Sequence, residues 1–453
     1  MKKNKQYTAR GAAVEVLQQV LDQGAYTNIA INKFLRAHSL EDLERRFFTE
    51  LVYGTVKAVG TIDWYLGQVV KQPLPKLDKA LLAILRLSVY QMVYIDRIPD
   101  AAVCNEAVKL ARSLVHEGAA SFANGVLRGL QRKLAAGQCC FPSEEEDDAG
   151  YLALKYCHPR WLIKRWLGQF GREGTIGLLE YNNQPATMCL RVNTLATTRA
   201  RLMEELAAAG AQVEASSWSK DGIICRQLPA LGKLLGDQGA AFYVQDESSM
   251  LVASVVQPKP GELVLDMCSA PGGKATHMAQ LMENKGCIVA RDVHEHKLQL
   301  IKDNARRLGV TIIKTELGDG TVVDAKLFGK ADRVLVDAPC SGLGVLGRRA
   351  EGRWTKTRKD LKLFPSLQLA ILHNASRYVK EEGLLVYSTC TIEQSENHYL
   401  IEEFLKNHPQ WQRAGVVHPL TGELLPELQL LPQVDGIDGF FICALQRKKT
   451  KEQ

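Results

Sequence analysis

The sequence predicts a multidomain chain: an all-α amino-terminal domain over residues 1–140, a linker and small α+β domain over 141–240, and an α/β, doubly wound domain over 241–453. Three observations lead there. Apolar residues recur at three and four from Ala9 to about Leu134, as in Ala13, Leu17, Val20 and Leu21, then Leu81, Ile84, Leu85 and Val89. The stretch GQCCFPSEEEDDAG, Gly137 to Gly150, follows; its Gly, Pro and acid run repels itself and packs poorly, which suits a linker. Beyond about Phe242, short β-rich runs alternate with helical patterns, the signature of parallel strands crossed over by helices.

In order, the middle region offers a helix from Arg160 to Phe170 and a strand-like TMCLRVNTL (Thr187 to Leu195). A helix from Thr198 to Ala209, closed by Gly210, and a second strand near Ala211 complete it. The last region reads ELVLDM, helix, CIVARD, helix, TIIKTEL, RVLVDA, a long helix from Asp360 to Tyr378, LLVYST and a further helix. DGFFICAL (Asp438 to Leu445) reads as a closing strand with core aromatics, and QRKKTKEQ as a frayed tail.

The composition suits an ordinary globular chain. Of 453 residues, 46% are hydrophobic and 24% charged, which excludes a disordered or collagen-like polymer. Lys and Arg number 57 against 50 Asp and Glu, a net charge of +7 that suits a polyanion without requiring one. The eleven cysteines show no C-x-x-C spacing, so no disulfide framework or metal cluster is suggested, and reduced thiols fit a cytoplasmic location. The amino terminus lacks the apolar core of a signal peptide. The longest apolar stretch, Ala80 to Tyr94, is broken by Arg86 and too short to span a bilayer, so no membrane role is expected.

In a doubly wound sheet the ligand sits beyond the carboxyl ends of the strands, so chemistry is sought there. LVLDMCSAPGGKATHMA ends a strand at Asp266, turns through Pro271, Gly272 and Gly273, and starts a helix near Lys274. Such a turn admits close approach by a nucleotide-like ligand at a helix amino terminus; equally, its glycines can be incidental. Asp292 follows the next strand at about the distance of a ribose-binding acid. Asp319, in LGDGT, stands where an acid can accept from an adenine amino group, although either acid alone is commonly a cap or turn residue. Asn304 reads as part of a helix end. The fourth strand delivers Asp337, Pro339 and Cys340, and the fifth Ser388, Thr389 and Cys390. A lone cysteine after a strand is usually a buried hydrophobe. Two at neighbouring strand ends favour thiolate chemistry on an electron-poor ring carbon, with Lys274 and a helix starting near Glu393 to lower a thiol pKa. Finally, RRAEGRWTKTRKDLK, Arg348 to Lys362, gathers seven cations around Trp354; Arg348, Arg349 and Arg353 are expected to meet the phosphates of a nucleic-acid polymer and Trp354 to stack on a base, the alternative being a solvated loop and helix start.

LDMCSAPGGKATH, VDAPCSGLG and YSTCT resemble the cofactor, Pro-Cys and Thr-Cys motifs of S-adenosylmethionine-dependent RNA cytosine carbon-5 methyltransferases. DLERRFFTELVYGTVK (Asp42 to Lys57) and FANGVLRGLQRK (Phe122 to Lys133) are similar to a NusB-like helical domain, and the whole chain resembles the bacterial RsmB (Sun, or Fmu) family of 16S ribosomal RNA methyltransferases. The resemblance implies a NusB-like RNA-binding domain, a small RNA-recognition domain and a Rossmann-like class I methyltransferase domain. It implies a cofactor loop of Cys268, Ser269, Ala270, Pro271, Gly272, Gly273 and Lys274, with Asp292 on the ribose, Asp319 on the adenine and Asp337 on the cofactor side. Cys390 is then the nucleophile that adds to carbon 6 of the base, Cys340 assists release, and Asp337 with Lys274 stabilises charge on the ring. The partner is 16S ribosomal RNA, free or partly assembled, and one nucleophile and one cofactor site make a monomer sufficient. RRAEGRW departs from the family's Arg-x-x-Pro-Asp-x-x-Trp. Two rivals are a DNA cytosine methyltransferase, whose nucleophile is the Pro-Cys cysteine, and an RNA-binding factor with a vestigial catalytic domain.

Overall fold

The computed structural model describes residues 7–227 and 239–448, so the start of the chain and most of the QRKKTKEQ tail lie outside the described residues. The chain forms two compact units: Met1–Gln184 with Leu346–Thr357, and Pro185–Val345 with Arg358–Gln453.

The first unit is helical, with helices Ala9–Leu21, Thr27–Ala37, Asp42–Gly67, Lys79–Tyr94, Asp100–Leu114 and Glu117–Ala135. The three-four spacing converges on one core in which Leu17, Leu51, Ile62 and Leu85 are wholly enclosed. Gly54 is there because Tyr90 lies against it: a Cβ would stand 2.0 Å from the ring. Of the stretch expected to be a linker, residues 138–143 are irregular but the acidic half opens a helix. Ser143 caps it by accepting from the Glu146 N–H at 3.2 Å, and the acids of Glu144–Lys155 occupy the first turn, where the helix dipole favours them. Arg160 pairs with Asp147 at 2.8 Å, and Arg172 with Glu144 at 2.5 Å, so the acids find cations instead of repelling one another. The helix from Arg160 also runs on to Asn183, kinked at Gly171, where φ is 66°.

The second unit holds two sheets. Strands β1 (Met188–Val192), β2 (Gln212–Ala215), β3 (Gly222–Gln227) and β4 (Phe242–Val244) pair antiparallel in the order β2-β3-β1-β4. Helix Arg199–Ala208, capped by Thr198, buries Leu202 and Leu206 in the core of this small layer. The larger sheet contains β5 (Leu263–Asp266), β6 (Cys287–Asp292), β7 (Ile313–Leu317), β8 (Ala331–Asp337) and β9 (Val379–Thr389), all parallel. It is completed by β10 (Trp411–Arg413), a β11–β12 pair (Val416–Val417, Leu424–Leu425) outside the sheet, β13 (Leu428–Leu430) and β14 (Phe440–Arg447). The order β10-β14-β9-β8-β5-β6-β7 puts β5 at the reversal of strand order. Both faces are covered, with Val264, Ile288 and Leu335 on one side and Leu265, Val289 and Val334 on the other. As the sequence suggests, β14 closes the sheet antiparallel to β9, with Phe440 and Phe441 buried.

Candidate active site

The carboxyl ends of β7, β6, β5, β8 and β9 lie side by side, and each delivers a residue singled out by its sequence. After Asp266 the chain turns tightly: the Ser269 N–H donates to the Arg291 carbonyl at 2.8 Å, and the Gly272 N–H to the Ser269 carbonyl at 2.7 Å. Gly272 has φ of 97° and opens helix Gly273–Leu281; a Cβ there would meet the Ile301 backbone at 3.2 Å, so geometry and space both require glycine. Helix Glu295–Arg307 ends where expected: the Leu308 N–H donates to the Asn304 carbonyl at 3.1 Å, and the Asn304 amide in that last turn also donates to the Pro271 carbonyl at 3.0 Å. Asp292 ends β6 and is buried, with Oδ1 accepting from the His294 N–H at 2.9 Å. Asp319 is exposed after β7; its Oδ1 accepts from the Thr321 N–H and hydroxyl, which hold its pKa below the ordinary value.

Sequence patterning does not single out Arg191 as functional, yet an arginine in the apolar run MCLRV was the available signal. Its guanidinium is wholly buried and donates to the Gly273 carbonyl at 2.5 Å, to Thr276 Oγ1 at 2.9 Å and to Gln245. The first turn of the helix after the glycines is therefore tied to the small antiparallel sheet. Burial lowers this arginine's pKa to about 9.

Cys340 and Cys390 meet, with their sulfur atoms 3.4 Å apart. The hydrogen bond to Cys390 and burial push the Cys340 thiol well above its ordinary pKa. Burial likewise raises the Cys268 thiol, beside three carboxylates. Asp337 takes a hydrogen bond on each oxygen, from Lys274 Nζ at 2.7 Å and from Ser388 Oγ at 2.9 Å. Burial opposes the charge on Lys274, but Asp337 outweighs it, with help from Cys390 and Asp266, and the lysine pKa rises. The helix expected near Glu393 starts instead at His398, and its N-cap residue Asn397 is hydrogen-bonded to Thr389 Oγ1 and to the Thr391 carbonyl, on either side of Cys390. Residues 391–397, between Cys390 and this helix, form an irregular turn in which Thr391, Ile392, Glu393, Glu396 and Asn397 are buried.

The basic segment corrects another expectation. Residues 346–357 belong to the helical unit. Arg353 is fully buried, donating to the carbonyls of Cys157 and Asn182 and to Asn183 Oδ1 at 3.1, 2.6 and 2.8 Å; it meets protein acceptors, not phosphate. Trp354 donates to the Val56 carbonyl at 2.8 Å and packs on Gly60, where a Cβ would stand 2.5 Å from the ring. Its face is thus used inside the fold. Arg349 is exposed, with its guanidinium 5.8 Å from the Tyr26 ring, and Arg348 is half-buried.

The crevice fits a nucleoside-type methyl donor on its own terms. Both Asp266 oxygens and the Ser269 hydroxyl are buried without a hydrogen bond of good geometry, leaving polar capacity beside the Gly272–Gly273 turn. Burial pushes the Asp266 carboxyl up to about 7. Among the described residues no cluster of metal ligands occurs, and no helix is long and apolar enough to cross a membrane.

Residues 253–446 match the family model for the 16S rRNA methyltransferase RsmB/F, residues 7–132 that of the NusB family, and residues 158–229 that of the RsmF/B-like ferredoxin-like domain. The three parts expected from the sequence are thus all present. The chain is 39% identical to a probable ribosomal RNA small subunit methyltransferase B of Bacillus subtilis, across 98% of this chain and 100% of that one. It is 35% identical to the counterpart of the same description from Synechocystis, across 97% and 99%. Among solved structures it is similar to that of PH0851, with a TM-score of 0.86 and 28% identity, covering 98% of this chain and 100% of that chain.

Proposed function

The chain belongs to the 16S rRNA methyltransferase RsmB/F family, whose methyl donor is S-adenosylmethionine, and from that premise we propose that it methylates carbon 5 of a cytosine through a Cys390 adduct at carbon 6. The observation that carries this reading is the pairing of Cys340 and Cys390, sulfur to sulfur at 3.4 Å, one strand end away from the Lys274–Asp337 pair.

Carbon 5 of cytosine is too weak a nucleophile to take a methyl group unaided. When the Cys390 thiolate adds to carbon 6, the carbon 5–carbon 6 π electrons become available at carbon 5. Bound S-adenosylmethionine supplies an electrophilic sulfonium methyl group. Loop residues Cys268 to Lys274 hold its amino-acid and sulfonium end, Asp292 its ribose and Asp319 its adenine. Both Asp337 oxygens are occupied as acceptors, so the Lys274 ammonium is the member of that pair with protons to share with the ring as charge develops. After methylation the carbon-5 proton passes to water, its bonding pair restores the double bond, and the bond from carbon 6 to sulfur breaks. Cys390 departs as a thiolate, and Cys340, whose pKa is raised, keeps its proton and donates a hydrogen bond to the departing sulfur.

The target is 16S ribosomal RNA, free or partly assembled, the protein acts as a monomer in the cytoplasm, and the base must be single-stranded or extruded at about a few kcal/mol. The test is covalent trapping on small-subunit RNA containing 5-fluorocytosine, where the missing carbon-5 proton blocks release. The adduct is expected with the wild type and lost with Cys390→Ala. Loss with Cys340→Ala alone would assign the nucleophile to the other cysteine and refute the proposal.

A further inference from the structure

The two cysteines stand on different loops, and something must hold those loops in register. Glu396 does so from behind. It lies in the irregular turn after Cys390, is fully buried, and its Oε2 accepts the Ser341 N–H at 2.9 Å and Gln368 Nε2 at 2.8 Å. Ser341 is the residue after Cys340, so this carboxylate grips the backbone beside one cysteine while belonging to the loop of the other. Gln368, from helix Arg358–Ser376, also donates to the carbonyl of Pro339 at 2.9 Å, on the other side of Cys340.

The same loops are laced together around this clamp. Ser341 Oγ meets Thr391 Oγ1 at 2.7 Å, Tyr387 donates to the Glu396 carbonyl at 2.7 Å, and Asn397 donates to the Thr391 carbonyl at 2.9 Å. All of these groups are buried. Helix Arg358–Ser376, the Pro-Cys loop and the Thr-Cys loop therefore form one unit whose shared node is a single carboxylate oxygen.

We propose that Glu396, with Gln368, is a positioning residue for product release: it holds Cys340 against the Cys390 sulfur, so its loss strands the enzyme on methylated RNA. The inference rests on the covalent reading of Cys390. It differs from a general structural role because that would lower every step alike, whereas a displaced Cys340 spares addition and methyl transfer and impairs only the breaking of the bond between carbon 6 and sulfur.

The experiment uses the full chain, S-adenosylmethionine and an unmodified small-subunit RNA transcript, resolved on a denaturing gel. Cys340→Ala is expected to accumulate a retarded protein–RNA band. Glu396→Ala is expected to accumulate the same band, at least tenfold above wild type, with multiple-turnover rate down at least tenfold and S-adenosylmethionine affinity by calorimetry within twofold of wild type. Glu396→Gln, which keeps an acceptor oxygen for the two N–H groups, is expected to restore turnover to within a few-fold. If Cys340→Ala accumulates the band and Glu396→Ala is slow without it, the inference is overturned while the proposed chemistry stands. If Cys340→Ala gives no band although the wild type methylates, Cys340 does not serve release and the inference is overturned, while trapping on 5-fluorocytosine with Cys390→Ala still decides the covalent reading. Should Glu396→Ala fail to bind the cofactor, Gln368→Leu decides by the same criterion: a band supports the clamp, and its absence overturns it.

Discussion

Asp266 ends the central strand with its carboxyl wholly enclosed, and burial raises its pKa from 3.8 to about 7. A carboxyl whose pKa is raised by folding contributes stability below its unfolded pKa and loses that contribution as pH rises through the folded value. At pH 5 the folded chain keeps this proton and the unfolded chain has released it; at pH 9 both have released it, and the folded chain holds a buried charge. Of the roughly three pKa units between the unfolded and folded values, only the about two that lie above pH 5 are crossed between the two conditions, which at about 1.4 kcal/mol each is about 3 kcal/mol. Asp266→Asn removes the titration. Its own packing effect is the same at both pH values and cancels, so the stability of the variant relative to wild type should rise by about 3 kcal/mol from pH 5 to pH 9. Pulse hydrogen exchange at increasing urea, read in peptides covering β5, reports the unfolding of this unit separately from the helical one. A difference between variant and wild type that is equal at pH 5 and pH 9 would refute the assignment of a raised, buried Asp266.

His277 should show the opposite slope in the same unit. It is fully buried 3.2 Å from Asp221 Oδ2, and burial outweighs that carboxylate to lower its pKa from 6.5 to about 4. The unfolded chain therefore binds the extra proton first, and stability is lost as pH falls from 6.5 to 4, by about 3 kcal/mol at the lower end. His277→Asn should flatten that slope in the same urea experiment, and an unchanged slope would count against it. In the helical unit, Arg353→Met leaves two buried carbonyls and the half-buried Asn183 Oδ1 without this donor and should lower that unit's stability by about 3 kcal/mol, measured by thermal melting. The salt dependence of RNA binding should stay as in wild type; a slope reduced by about one counterion would show that Arg353 meets phosphate after all.

Much of the architecture was legible because periodicity records burial. The three-four spacing of Leu17, Val20, Leu81, Leu85 and Val89 and the alternating β and α runs after Phe242 each describe a local pattern that needs no distant partner to interpret. The positions of Asp292, Asp319, Asp337, Cys340 and Cys390 follow from the same logic, since a doubly wound sheet gathers its strand ends at one edge. The Glu144 to Asp148 run misleads because its outcome turns on Arg160 and Arg172, which stand well downstream, as well as on the cap at Ser143.

By itself, then, the chain's text determined which residues end the strands of the larger sheet, and that two cysteines stand at neighbouring strand ends. Only the tertiary structure decided what each polar side chain spends its hydrogen bonds on. Arg353 and Trp354 look like an RNA-binding surface in the linear chain, and folding turns both inward because nearby carbonyls and a glycine offer them partners. Glu396 carries no linear pattern and Arg191 only its place in an apolar run, yet they hold the cysteine loops and the glycine turn. The physical reason is that a buried donor or acceptor must be satisfied, and its partner can come from any point of the chain that folding brings within about 3 Å.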